Sequence, residues 1–210
     1  MATVTQEVAP PVGPETSAGN ELFRISLDTY KQMGEAGLIR TADRVVLLDG
    51  LLVRKMTKGP RHSFGTLAVQ DLLKDHLHGR FHLRPELPID LPLGPDGSSA
   101  PEPDVTVARG LKGDYATRNP GPGDVLLVVE VADSSPRLDR QGLRRYAHAG
   151  IPTVWIVNLR AGVVEVYTDP SGPTADPGYA TKATRGAGTT LDLALDDRRV
   201  EGLPVAGLFG

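Results

Sequence analysis

The sequence predicts an α/β fold in which a mixed β-sheet is flanked by helices. Apolar residues recur at helical spacing in three segments, and several short, mostly aliphatic runs of strand length lie between and after these segments. Hydrophobic residues make up 40% of the 210 residues, which is enough for a substantial core and excludes a globally disordered chain. The 24 Gly and 18 Pro residues predict a fold that is rich in loops.

The composition limits the possible domain organisation and cellular location of the protein. Residues 1–20 are rich in Ala, Pro, Thr and Gly without apolar periodicity, so we expect a disordered N-terminal tail and one domain over residues 21–210. The chain has no Cys, which excludes disulfide and thiolate chemistry. It has no apolar run near the ~18 residues that span a bilayer and no secretory signal, so we expect a cytoplasmic protein with no membrane partner. A net charge of −3 argues against a protein that coats nucleic acid, but it allows a small basic cleft.

The first half of the chain predicts a helix, a hairpin and a second helix. Ser26 can cap a short helix that carries Leu27, Tyr30 and Met33. Two aliphatic runs, residues 45–48 and 51–53, surround Asp49-Gly50, a dipeptide that accepts the positive φ of a tight turn, so they predict a β-hairpin. From residue 62 to residue 78, apolar residues recur at the spacing of an amphipathic helix that Gly79 ends.

The second half predicts the sheet. Residues 81–91 alternate as in a half-buried edge strand, and residues 105–107 form a short strand before a loop at 110–124. Residues 125–131 are almost wholly aliphatic, as in a central strand buried on both faces, except that they include Glu130. Further on, the patterns predict a helix at 136–149, strands at 153–157 and 163–167, and a hairpin at 191–200.

Two carboxylates stand out because of where they lie. Asp104 opens one predicted strand and Glu130 lies on the buried strand that follows, so the two acids could meet on neighbouring strands. A buried carboxylate needs a partner, and two such acids would suit Mg²⁺, which is typically held by one or two carboxylates while it keeps several waters. Alternatively, Asp104 caps a turn and Glu130 pairs with an arginine of the following helix. Spacing alone leaves both interpretations open.

The sequence resembles the Uma-type (Uma-two) family of putative restriction endonucleases. The resemblance covers most of residues 24–170 and rests on segments 52–58, 101–105, 128–135, 139–140 and 146–152 running into 155–158. It implies the PD-(D/E)XK nuclease fold, that is, a restriction endonuclease-like mixed β-sheet flanked by helices. In that fold, an acid of the Pro-Asp motif and an acid of the next strand bind Mg²⁺ beside a lysine. Carried over by position, these acids are Asp104 and Glu130.

The expected lysine is missing. Superfamily members have it two residues after the second acid, where this chain has Ala132, and the helix position that substitutes in this family falls on Gly142 or Leu143. The predicted third helix instead carries a basic stripe that includes Arg140 and Arg144. We expect Arg144 to replace the lysine and Arg140 to steady phosphate, although a solvated arginine face would explain the same stripe.

Two further residues match positions at which the family often has functional side chains. Glu86 lies where the family often has an acid, so it is a candidate third metal ligand, or alternatively an exposed acid of an edge strand. His62 precedes the second helix at a position where the family frequently has histidine, and it could contact phosphate. As a lone histidine, it could equally be a surface residue at a helix start.

The resemblance implies a DNA endonuclease that depends on Mg²⁺ (or Mn²⁺) and hydrolyses phosphodiester bonds. Its catalytic residues would be Asp104, Glu130 and Arg144. A homodimer is plausible for an enzyme that cuts two strands. The alternative is a binding or interaction module that keeps the nuclease fold but has lost catalysis, as the missing lysine would suggest.

Overall fold

A computed structural model describes residues 21–77, 81–133 and 136–210. The predicted tail at 1–20 and the end of the predicted second helix at 78–79 lie outside the described residues. The helices are α1 (Leu27–Glu35), α2 (Pro60–His76) and α3 (Pro136–His148). The strands are β1 (Val45–Leu48), β2 (Leu51–Arg54), β3 (Phe81–Pro85), β4 (Val105–Arg109), β5 (Val125–Ala132), β6 (Thr153–Asn158), β7 (Val163–Pro170), β8 (Tyr179–Gly186), β9 (Thr190–Leu195) and β10 (Arg198–Pro204).

The central sheet is mixed, as the sequence predicts. Its strand order is β3-β4-β5-β6-β7-β8, and only the β5–β6 pair is parallel. A parallel neighbour needs a crossover connection, and α3 supplies it between β5 and β6. Two separate hairpins, β1–β2 and β9–β10, complete the strands. The expectation of a mixed sheet flanked by helices is confirmed.

Apolar side chains cover both faces of this sheet. On one face, α2 and the β9–β10 hairpin pack against β4, β5 and β6 around the fully buried Trp155. On the other face, α3 packs through Tyr146 against Val128 and Ile156. β5 is buried on both sides, which explains its nearly continuous aliphatic run.

Local sequence signals account for the first elements. The Ser26 hydroxyl accepts a hydrogen bond from the Thr29 N–H, which caps α1 as predicted. The β1–β2 turn has φ values of 52° at Asp49 and 77° at Gly50, which confirms the predicted Asp-Gly hairpin. A backbone bridge between Leu47 and Ala100 then attaches the hairpin to the body of the protein.

Two strand predictions need correction. The strand predicted at 81–91 ends at Pro85, because Glu86 has a φ of 50° and turns the chain out of extended conformation. β8 was not predicted, because this strand at the sheet edge is polar and mostly exposed, so it lacks the apolar alternation of a half-buried strand.

Candidate functional site

Three acidic residues lie in one row at one end of the sheet: Glu86 just after β3, Asp104 just before β4, and Glu130 within β5. The antiparallel register pairs Val105 with Val129, so one further step places Asp104 opposite Glu130. On the other side, the N–H of Glu86 donates to the carbonyl oxygen of Asp104 over 3.1 Å. Directly opposite residues of antiparallel strands project from the same face. The sheet therefore brings Asp104 and Glu130 to the same side, at the end where β5 finishes and β4 begins.

Asp104 is buried, and donors surround its carboxylate. Its Oδ2 accepts a hydrogen bond from the N–H of Val131 over 2.7 Å and lies 3.2 Å from Nε2 of His62. Its Oδ1 accepts from Nζ of Lys58 over 2.5 Å. Burial alone would raise the pKa of Asp104, but the hydrogen bond from His62 and the charge of Lys58 outweigh it and lower the pKa. Asp104 is therefore ionised at neutral pH.

Lys58 bridges two of the acids in the row. Its ammonium lies 2.5 Å from Asp104 and 2.6 Å from Oε1 of Glu86, and it comes from the loop between β2 and α2. Burial would lower the pKa of Lys58, but attraction and hydrogen bonding to Asp104 and Glu86 raise it overall. Lys58 is therefore a fixed positive charge beside Asp104.

Glu130 is held by α3. The Tyr146 hydroxyl donates to Oε1 of Glu130 over 2.6 Å, and Tyr146 itself is buried. Burial and the charge of Glu130 raise the pKa of Tyr146 well above its usual value, so the phenol remains a donor. The sequence suggested an arginine partner for Glu130. The structure adds a phenol hydroxyl, from a residue two positions after Arg144.

One cleft contains both acids. It has a volume of about 300 Å³ and lies between the β1–β2 hairpin, the start of α2 and the end of β5. The cations and the histidine in its wall are Arg54, Lys55, Lys58 and His62, and its carboxylates are Glu102, Asp104, Glu130 and Asp133. We call it the acid cleft.

The structure brings some of the sequence-predicted residues together and separates others. Asp104, Glu130 and His62 line the acid cleft, and Glu86 reaches it through Lys58. Arg140 instead lies against Glu165, to which its Nε donates over 3.0 Å. Arg144 lies 3.6 Å from the exposed carboxylate of Asp176 and does not line the cleft. Arg140 and Arg144 thus contact carboxylates outside the acid cleft, whereas Tyr146 is the α3 residue that donates to Glu130.

Two residues at the site had no predicted role. Lys58 ends the segment 52–58 that carries part of the family resemblance, and Tyr146 begins another such segment. Their position in segments that resemble the family was the sequence signal that could have indicated a role for these two residues. Lys58 is 46 residues from Asp104 in sequence, so only the tertiary fold shows that the two side chains meet.

The side chains of the acid cleft fit a hard divalent cation. Asp104 and Glu130 offer ionisable carboxylate oxygens in one cleft, and Mg²⁺ needs no more than one or two carboxylates because water and substrate phosphate complete its shell. Within residues 21–77, 81–133 and 136–210, no group of three or more His, Asp or Glu has the geometry of a complete metal site. The donor set therefore suits a metal that substrate and water help to bind, and Asp104 and Glu130 would hold it.

The fold and the cleft define a restriction endonuclease-like protein, and comparison with known proteins agrees. The Uma2 family, described as "putative restriction endonuclease", matches residues 27–204. The chain therefore belongs to the Uma2 family. Restriction endonuclease-like families generally use divalent metal ions.

A solved structure supports the fold. It is a crystal structure from Anabaena variabilis, described as a "putative nuclease belonging to DUF820", with a TM-score of 0.60 and 14% sequence identity. The match covers 88% of this chain and 97% of that one. No curated protein matches the sequence. None of the described helices is long and apolar enough to cross a membrane.

Proposed function

We propose that this protein is a DNA endonuclease that hydrolyses phosphodiester bonds with Mg²⁺ or Mn²⁺. One observation carries the proposal: Asp104, just before β4, lies opposite Glu130 of β5 in a single cleft, with Lys58 beside Asp104. Membership of a family described as restriction endonucleases supports DNA as the substrate.

Each side chain has a role in this proposal. Asp104 and Glu130 would hold the metal, which when bound would polarise the phosphate and activate a water. Tyr146 orients the Glu130 carboxylate by its hydrogen bond, and His62 orients Asp104. Lys58 remains protonated, so it acts as a positive charge that stabilises the negative charge developing on the phosphate.

Lys58 takes over the role that the sequence assigned to Arg144. It is a lysine, as the superfamily pattern requires, and it lies in contact with the first acid although it comes from a different element. The proposed catalytic set is therefore Asp104, Glu130 and Lys58, with Glu86 as the second anchor of the lysine.

Plasmid nicking tests this assignment. Supercoiled plasmid is incubated with Mg²⁺ or Mn²⁺ and the wild-type protein, Glu130→Gln, Lys58→Met or the matched control Lys112→Met, an exposed lysine of the 110–124 loop. We expect Lys58→Met and Glu130→Gln each to lower the nicking rate about 100-fold or more, as for other groups that stabilise transition-state charge. Lys112→Met should keep wild-type activity. Loss in Arg144→Ala with activity retained in Lys58→Met would return the role to the arginine.

A second candidate, a nuclease-fold binding module without catalysis, is favoured by one observation. Both oxygens of Asp104 already have protein donors, Lys58 on one side and Val131 N–H with His62 on the other. Isothermal titration with Mn²⁺ separates the two candidates. An endonuclease should give binding heat that Asp104→Asn removes. A module should give no such heat, should bind DNA equally well in EDTA, and should never nick plasmid.

A further inference from the structure

A second cavity adjoins the acid cleft and has a different character. It has a volume of about 420 Å³, within the range of about 300–1,000 Å³ that is typical of ligand sites. α1, the 3₁₀ turn at Thr41–Asp43 and the β1–β2 hairpin form it. Among the described residues that line it, the cations are Lys31, Arg40, Arg44 and Lys55 and the carboxylate is Glu102, while Tyr30 and Ile39 add apolar surface. We call it the hairpin cavity.

The hairpin cavity and the acid cleft share a wall. Lys55 and Glu102 line both spaces, and they form an ion pair with each other. Glu102 lies two residues before Asp104 on the same segment. A strand of nucleic acid whose scissile phosphate lies at Asp104 and Glu130 can therefore extend past Lys55 into the hairpin cavity.

Arg44 is the cation of this cavity that can still pair with an anion. Lys31 pairs with Asp90, Arg40 with Asp43, and Lys55 with Glu102. Arg44 instead donates over 3.3 Å to the Thr57 hydroxyl and to the Met56 carbonyl oxygen. Among the described residues, no carboxylate lies within ion-pair distance of Arg44. These neutral contacts hold the exposed guanidinium in place and leave its charge uncompensated.

Tyr30 gives the cavity a surface for a base. Its hydroxyl donates to the carbonyl oxygen of Val45 over 3.3 Å, which holds the half-buried ring against the hairpin. Aromatic rings of this kind stack on nucleobases whatever their sequence. Arginine binds phosphate through two parallel N–H donors. An aromatic wall beside an uncompensated arginine is thus suited to one nucleotide unit.

We propose that the hairpin cavity binds the nucleotide next to the scissile phosphate of the DNA substrate, with Arg44 on its phosphate and Tyr30 against its base. This inference rests on the proposed function for the position of the scissile bond. It adds the direction of the strand, from the acid cleft past Lys55 toward α1. It is compatible with a net charge of −3, because four cations line the hairpin cavity beside the acid cleft and can contact phosphate locally.

DNA binding measured without metal tests the inference. Fluorescence anisotropy in EDTA with a labelled oligonucleotide, at several NaCl concentrations, compares the wild type with Arg44→Ala and with the matched control Arg185→Ala. Arg185 is exposed on β8, at the opposite edge of the sheet. We expect Arg44→Ala to weaken binding about five- to tenfold and to lower the slope of log K against log[salt] by about one, as for one lost phosphate contact. Arg185→Ala should match the wild type.

A second variant, which should tighten DNA binding instead of weakening it, adds an independent test. Glu102→Gln removes the carboxylate between the two spaces and frees Lys55, so it should tighten DNA binding about twofold or more. Thermal melts of both variants establish that they fold. A wild type that does not bind DNA, or folded Arg44→Ala and Glu102→Gln proteins that bind like the wild type, would overturn the inference.

Plasmid nicking and DNA affinity together separate the endonuclease proposal from the hairpin cavity inference. If the wild type nicks plasmid but Arg44→Ala leaves both KM and DNA affinity unchanged, the hairpin cavity inference fails and the endonuclease stands. If the wild type never nicks DNA but Arg44→Ala weakens binding as expected, the endonuclease fails and the binding site stands. A raised KM with unchanged kcat in Arg44→Ala would support both.

Discussion

Asp104 keeps its negative charge inside the protein because three donors converge on its two oxygens. The Lys58 ammonium, the Val131 N–H and the His62 imidazole come from a loop, a strand and a helix. Removing one partner of a buried charge strongly destabilises a protein, so we expect the loss of any of these three donors to lower stability. The same arrangement keeps the carboxylate ionised in the acid cleft, which the proposed role of Asp104 as a metal ligand requires.

Tyr146 is the corresponding partner of Glu130, and we expect Tyr146→Phe to affect both stability and activity. The substitution leaves a half-buried carboxylate oxygen without its phenol donor, which should lower the free energy of unfolding by about 1–2 kcal/mol. Urea denaturation measures this loss, and the plasmid assay should show slower nicking. The matched control is Tyr179→Phe, which removes a hydroxyl bonded to the Ile151 carbonyl oxygen away from the cleft. Equal nicking by the two variants would contradict the role of Tyr146.

At the scale of elements, the packing of α2 on β5 sets the position of His62 relative to Asp104. Gly65 of α2 packs so closely on β5 that a Cβ would lie 2.9 Å from Val131 Cγ1 and 3.0 Å from Leu159 Cδ2. His62 lies one turn earlier on the same helix and Lys58 just before it. The close approach of helix and strand therefore sets the reach of both residues to Asp104.

Gly65→Ala should separate α2 from β5. Overpacking costs about 1–3 kcal/mol, and the better helix propensity of Ala returns up to about 1 kcal/mol, so we expect a net loss of unfolding free energy. The displaced helix should also lower the nicking rate. Gly142→Ala in α3 is the matched control, because its Cβ would meet only ordinary contacts at 3.5 Å and beyond, and it should stabilise the protein. Gly65→Ala with wild-type stability and activity would show that α2 can shift without disturbing the site.

At the scale of the whole molecule, the row of residues that contains Asp104 and Glu130 continues across β6 to β7. Glu130 lies beside Ile156, and Ile156 lies opposite Glu165. The buried Glu165 side chain accepts from Arg140 over 3.0 Å and from the Tyr167 hydroxyl over 2.5 Å, and it lies 3.0 Å from Lys182. The hydrogen bond from Arg140, opposed by burial and aided by Tyr167 and Lys182, lowers the pKa of Glu165 to about 2. Because Glu165 is buried and ion-paired, we expect these contacts to stabilise the fold.

The pH dependence of unfolding should report on Glu165. Its folded pKa of about 2 lies below its usual value of 4.5, so its contribution is complete above that value and is lost as the pH falls toward 2. We expect Glu165→Gln to cost about 2 kcal/mol at pH 7, less than for a fully buried pair because Arg140 and Lys182 are half exposed.

Urea unfolding between pH 7 and pH 2 measures this effect. The stability of Glu165→Gln should fall less steeply with acid than that of the wild type. Glu201→Gln, which removes an exposed acid paired with Arg199, is the control and should follow the wild-type curve. Parallel curves for Glu165→Gln and the wild type would place the acid-sensitive interactions elsewhere.

Sequence patterns predicted much of the fold because the signals concerned were local. The Ser26 cap, the Asp49-Gly50 turn and the aliphatic run of β5 each depend on neighbouring residues, and each was confirmed. The polar edge strand β8 and the early end of β3 at Glu86 escaped prediction, because pairing across the sheet and a single backbone angle decide them. The predicted tail at 1–20, the domain limits and a homodimer stay predictions.

By itself, the sequence determined the family, the mixed sheet and the two acids on successive strands. Only the tertiary structure decided which cation contacts the first of these acids, Asp104. Lys58 reaches Asp104 from 46 residues away, whereas Arg140 and Arg144 lie against Glu165 and Asp176. The alternation of side chains along a strand is periodic and can be predicted from neighbouring residues. A contact between a loop and a strand depends instead on how the helices pack on the sheet. The position of the Lys58 charge beside Asp104 is therefore a property of the packed protein.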